Sequence, residues 1–192
     1  MIGVSQIRTG AATSADDITT LALCAGSGDS DAFARLIEQV YDRIYRIAFR
    51  WCGNRDEAQD LTQDVCIKLA RTLSSYRGEA AFTTWLYRLV LNAARDRGRA
   101  RGRLAAREAP LDAADCQNAS TRPADSATTL DVRRAVARLP EKLRGAVVLV
   151  LMEGLTHAEA GRILGCREGT VSWRISIARK RLMADLDRGT AA

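Results

Sequence analysis

Histidine occurs once, proline three times, and aromatic side chains make up only 5% of the 192 residues. A lone histidine cannot build an imidazole-based metal or acid–base centre, and His157 reads as a surface or capping side chain. Cysteine is present but poorly arranged for structure: residues 24, 52, 66, 116 and 166 are odd in number, widely spaced and without a Cys-x-x-Cys pair. That pattern excludes a disulfide framework or a zinc module. It suits reduced thiols in a cytoplasm, with Cys52 and Cys66 as small core residues and Cys116 as a bystander. No stretch approaches the roughly 20 apolar residues of a membrane span, so no membrane insertion is expected. Met1 to Ala25 has no basic start followed by a long apolar core, so no secretory signal is expected either. Apolar alternation of period two is almost missing, which excludes a β-sandwich or barrel. No nucleophile, paired acid and base, or metal-ligand set stands out, so the chain is expected to be no enzyme and to need no cofactor.

What the chain does have is arginine. Lys+Arg total 29 against 23 Asp+Glu, a net charge of +6, and arginine supplies nearly all the cations. Guanidinium groups suit bidentate phosphate contact, so the balance points weakly to nucleic acid.

Hydrophobic periodicity divides the chain. Residues 1–28 are small and polar and read as a mobile tail, with at most one helical turn over Ile18 to Cys24. From 29 to 99 three helical stretches follow. The first carries Leu36, Ile37, Val40, Ile44, Ile47, Ala48 and Trp51 and stops at Gly53-Asn54. The second runs from about Asp56 to Leu73, and the third from about Ala81 to Arg97. Nine of the ten aromatics lie between Phe33 and Tyr87, so this half has its own core and is expected to be a helical bundle. Periodicity vanishes over 100–128, an Ala-, Arg- and Asp-rich stretch that reads as a linker. It returns over 129–188, with a helix ended by Pro140, another closed by Gly154, and two short helices around Gly165-Cys166-Arg167. The expected fold is all-α: two small helical domains joined by a flexible linker.

The last two helices have the spacing of a helix-turn-helix. Thr156 and Glu159 form a capping-box pair, Gly165 makes the turn, and the next helix begins near Glu168. Arg167, Thr170, Ser172, Trp173 and Arg174 stand around its start, and Arg179-Lys180-Arg181 follow. Short polar side chains and arginines are what base edges and phosphates require there. The plainer alternative is a helical hairpin with a solvated basic face.

Three features mark the first half. Asp56, Asp60 and Asp64, spaced by four, form one carboxylate stripe along a helix, with Glu57 and Gln63 beside it. The stripe reads as a solvated face or, with poor convergence, as a magnesium site. The loop from Ser74 to Ala80 places Tyr76, Arg77, Gly78 and Glu79 together, a set able to stack on and hydrogen-bond an unpaired base. The following helix exposes Arg88, Asn92, Arg95 and Asp96 and runs into Arg97, Arg99, Arg101, Arg103 and Arg107, a phosphate track.

These motifs resemble the extracytoplasmic-function (ECF) group of bacterial RNA polymerase sigma factors. NRDEAQDLTQDV and SYRGEAAFTTWLYRLVLN carry the likeness in the first half. LARLPEKLRGAVVLVLMEGLTHAEAGRILG and EGTVSWRISIARKRL carry it in the second. The resemblance implies that Asp56, Asp60, Gln63 and Asp64 dock on core RNA polymerase. It implies that loop 74–80 captures a flipped base of the −10 promoter element, and that Arg88, Asn92, Arg95 and Asp96 meet that element's upstream edge. Arg167, Thr170, Ser172, Trp173, Arg174 and Arg179 would read the −35 element of promoter DNA. An anti-sigma factor is the further partner the family implies. The chain departs from the family pattern at Cys66 and Ala70, where aromatics are usual, and at Ala160-Gly161, where the glycine weakens helix propensity by about 1 kcal/mol relative to alanine. A helix-turn-helix regulator that never docks on polymerase is the alternative.

Overall fold

The computed structural model describes residues 15–108 and 127–190, with side chains over 17–103 and 132–185. All regular elements among them are helical. Helices α1 (Ala15–Gly26), α2 (Ser30–Cys52), α3 (Arg55–Thr72) and α4 (Phe82–Glu108) make the first half. A 3-10 turn, Leu73–Ser75, leads from α3 into the bend before α4. Local chemistry sets these boundaries. The Asp29 carboxylate accepts from the Asp31 and Ala32 N–H groups and starts α2. Gly53, at φ 77°, ends it, and the Asn54 side chain accepts from the Glu57 N–H to start α3. The short reversal folds α3 back against α2. Leu36, Val40, Ile44 and Ile47 of α2 then meet Leu61, Val65 and Leu69 of α3 and Leu86 and Val90 of α4 in one dry layer.

The second half holds α5 (Ala127–Arg138), α6 (Glu141–Val147), a π-helical turn (Val148–Met152), α7 (His157–Leu164) and α8 (Glu168–Thr190). Pro140 sits at the cap position before α6, where its missing N–H costs nothing. Thr156 and Glu159 form the expected capping box, and Gly165, at φ 65°, makes the turn into α8.

Three expectations need correction. Residues 15–26 are not tail: Leu21 and Ala22 are buried, and their spacing was too short a period to separate a helix from polar chain. Residues 1–14 lie outside the described residues. The linker over 100–128 is shorter too, since α4 continues to Glu108 and α5 begins at Ala127. Its arginines and alanines favour helix without any apolar stripe to announce it. Residues 109–126, including Cys116, lie outside the described residues. Thirdly, Gly161 is no soft spot. A Cβ there would stand 2.7 Å from the Cys166 carbonyl oxygen, so only glycine lets the turn close onto α7.

The two helical domains expected from the sequence also touch one another. The two halves share one continuous apolar cluster, in which Trp51 of α2 joins Ala146, Val147 and Leu149. Arg133 lies over the Phe49 ring at 4.9 Å and Arg144 over the Trp51 ring at 5.2 Å. Periodicity placed Trp51 on the apolar stripe of the first half and said nothing of Arg133 or Arg144. It carried no signal that they would meet.

Candidate nucleic-acid interface

The carboxylate stripe lies on α3, but it is not left to water. One guanidinium, that of Arg97 on α4, reaches Asp64 at 2.8 Å and Asp60 at 2.6 Å. Arg101 pairs with Glu57 one turn further on. Asp56 and Gln63 stay exposed at the edges of the stripe. No cluster of three or more potential metal ligands occurs among the described residues.

The bend after the 3-10 turn is part anchor and part free surface. Tyr76, expected to offer its ring to a base, is only 7% exposed. Its ring packs edge-on to Phe82 at 5.4 Å and against Trp85 at 5.6 Å, and its hydroxyl donates to the Ala80 carbonyl at 2.7 Å. Tyr76 therefore ties both ends of the bend to the core. Arg77, Gly78 and Glu79 project into solvent between these ties. Gly78, at φ 75°, is in the left-handed region that a side chain disfavours.

Helix α1 buttresses this bend from behind, which the sequence did not announce. The Phe82 N–H donates to Thr19 Oγ1 at 3.4 Å at the start of α4. Leu23 lies 3.6 Å from where a Gly78 Cβ would stand, and Gly26 presses on the Leu73 carbonyl. The only advance signal was Leu21-Ala22-Leu23 inside a polar stretch.

Helix α4 carries Arg88, Asn92 and Asp96 at the surface and Arg95 half-buried, and most are engaged. Arg88 donates to the Arg162 carbonyl at 2.6 Å, and Arg95 pairs with Glu141 at 3.0 Å, both across the boundary between the halves. Asn92 is exposed and accepts from Arg95 at 3.4 Å. Lys68, at 2.9 Å, and then Arg99 hydrogen-bond Asp96 and hold its carboxyl below the usual range.

Helix α8 begins with a mostly open face. Arg167, Ser172 and Arg179 are exposed, Thr170 and Arg174 are half-buried, and Trp173 is 62% exposed. Val171, Ile175 and Ala178 pin the opposite face to the core. Ser172 Oγ donates to the Glu168 carbonyl and lies 2.8 Å from His157 Nδ1, so His157 of α7 steadies the Ser172 side chain. Arg174 leans back toward Cys166 Sγ at 3.4 Å.

Residues 36–104 match the Sigma-70 region 2 family and residues 129–182 match the Sigma-70, region 4 family. The chain is 38% identical over 156 residues to the ECF RNA polymerase sigma factor SigM of Mycobacterium tuberculosis, covering 81% of this chain and 78% of that one. The chain belongs to the ECF RNA polymerase sigma factors. SigE of Mycolicibacterium smegmatis is a further relative of this sigma factor, 36% identical over 174 residues, 87% of this chain and 67% of that one. Two solved structures share the sigma factor's fold. CnrH in complex with the cytosolic domain of CnrY matches with a TM-score of 0.63 and 26% identity, covering 91% of this chain and 99% of that one. The sigma factor RpoE of Bartonella quintana, in complex with the anti-sigma factor NepR, matches with a TM-score of 0.65 and 25% identity, covering 81% and 96%. Among the described residues of the sigma factor, no helix is long and apolar enough to cross a membrane.

Proposed function

We propose that this sigma factor is a cytoplasmic, non-catalytic specificity subunit. It docks on core RNA polymerase through Asp56, Asp60, Gln63 and Asp64, a face whose two central carboxylates are both paired with the Arg97 guanidinium. Its helix α8 enters duplex DNA at the −35 element with Arg167, Thr170, Ser172, Trp173, Arg174 and Arg179 at or near the surface. Its bend holds an unpaired base of the non-template −10 strand between Arg77, Gly78 and Glu79, with Tyr76 as the anchor that shapes the pocket. Arg88, Asn92, Arg95 and Asp96 follow the strand upstream. Base capture costs a few kcal/mol of unstacking, which pocket contacts and polymerase docking offset.

The observation that carries this reading is the pairing of two dissimilar nucleic-acid surfaces on one chain. A recognition helix suited to paired DNA stands in one half, and an exposed, core-anchored bend suited to a single strand stands in the other. The order of the two matched sigma-70 regions agrees with it. An anti-sigma factor is proposed as a third partner, since the similar solved sigma factor RpoE is held in a complex with the anti-sigma factor NepR.

The deciding test is promoter-directed transcription with core polymerase and the full chain, after genomic mapping of its binding sites. Initiation at mapped sites is expected. Well-folded protein that initiates at none of them would remove the proposal in favour of a regulator that acts without polymerase.

A further inference from the structure

Glu153 sits at the end of the π-helical turn in the second half, yet its partners lie in the first. Its carboxylate takes Arg50 of α2 on one oxygen and the Tyr87 hydroxyl of α4, at 2.8 Å, on the other. The Glu153 side chain is only 7% exposed. Burial, and then the hydrogen bond to Glu153, push the Tyr87 phenol upward, so it stays a donor throughout the physiological range. A buried carboxylate is tolerated only when it is paired and hydrogen-bonded, so this socket and this carboxylate are mutually fitted.

The contacts around the socket fall on the strand-reading helix. Arg88 is held by the Arg162 carbonyl and Arg95 by Glu141. The same cations cannot serve DNA phosphates while they serve the second half.

We propose that Arg50 and Tyr87 form a carboxylate socket whose occupant is the chain's own Glu153, and that its occupation holds the free sigma factor closed with α4 masked. The masking rests on the reading of α4 as a −10 surface; the closure does not. Buried ion pairs contribute more to the choice of arrangement than to net stability, because a separated Glu153 recovers its hydration. The latch therefore sets which state is populated while leaving each half folded, and polymerase or promoter can shift it open. Apparent DNA affinity of the free chain scales with the open fraction.

The test uses the full chain. Arg50→Glu places a second carboxylate in the socket and is expected to open the halves, raising the radius of gyration in X-ray scattering. It is expected to tighten binding to a fluorescent pool of random single-stranded DNA by about threefold or more. The gain would come despite a lost cation, so it cannot be ordinary attraction for phosphate. Arg50→Glu combined with Glu153→Arg restores the pair in reverse and should return both readouts to wild type. Tyr87→Phe, which keeps the buried ring, should move both in the same direction by less. Circular dichroism controls for folding. An unchanged radius of gyration in Arg50→Glu overturns the latch. A larger radius with no gain in strand binding overturns the masking while leaving the docking and −35 roles intact. A wild-type chain inactive at every promoter with core polymerase fells the premise of masking, whatever scattering shows.

Discussion

The Arg97 guanidinium lies 2.8 Å from the Asp64 carboxylate, and its other terminal nitrogen reaches Asp60, so α4 clasps the acidic face of α3. The proposed strand-reading helix and the proposed polymerase face are thus two sides of one contact. Surface pairs of this exposure contribute about 0–1 kcal/mol each. The face is therefore fixed in shape without being strongly held.

Asp60→Asn with Asp64→Asn should leave the chain folded, with a loss of stability near 1 kcal/mol or less by denaturant titration. Core polymerase binding should fall by about tenfold or more, equivalent to about 1.4 kcal/mol. Binding of the −35 duplex should stay at the wild-type level. Equal losses in both assays would mean that the carboxylates support folding and not docking.

Gly161→Ala tests the other module. Alanine gains about 1 kcal/mol of helix propensity over glycine. The added Cβ would meet the Cys166 carbonyl at 2.7 Å, and backbone cannot yield as a side-chain tip can. Overpacking of this kind costs about 1–3 kcal/mol, and more where the chain itself must shift. Net destabilisation is expected by denaturant titration, together with weakened −35 binding. A variant as stable as wild type would show that the turn relaxes freely.

Much of the fold was legible because its boundaries are made by local chemistry. Gly53-Asn54, the Thr156–Glu159 box and Gly165 each stop or start a helix by means visible in a few residues. The apolar stripe of α2 was legible for the same reason. The site was legible only as residue types in order. Periodicity could not show that the Tyr76 ring turns inward, because a loop aromatic has no face to count. Nor could it show Arg97, Arg88 and Arg95 meeting their partners, because an arginine on a basic helix looks solvated until something packs against it. Glu153 gave no signal at all, being one acid before a glycine whose partners are 66 and 103 residues away.

The anchored bend makes its own prediction. Tyr76→Phe keeps the ring against Phe82 and Trp85 but loses the hydroxyl bond to Ala80, at a cost of about 1 kcal/mol. Thr19→Val removes the acceptor for the Phe82 N–H without shortening α1. Both variants should keep polymerase binding and lose discrimination among the four bases at the captured −10 position, measured as relative transcription from promoters differing there. A uniform fall at all four bases would instead indicate general loss of fold.

Acid should weaken the helix-turn-helix through Glu159. Hydrogen bonds from the Thr156 hydroxyl, at 2.7 Å, and then from its N–H, at 2.9 Å, hold this carboxyl below its ordinary value. The unfolded chain titrates it in the ordinary glutamate range. A lowered folded value means that the capping contribution is fully present above the ordinary glutamate range. It is lost as pH falls through the lowered one. Glu159→Gln keeps an acceptor but cannot titrate. Its denaturation midpoint should lie below wild type at neutral pH, and the two should converge in acid. Asp96, also lowered, by Lys68 and Arg99, is present in both proteins and cancels in the comparison. A gap of constant size from neutral pH into strong acid would show that the Glu159 charge plays no part in the cap.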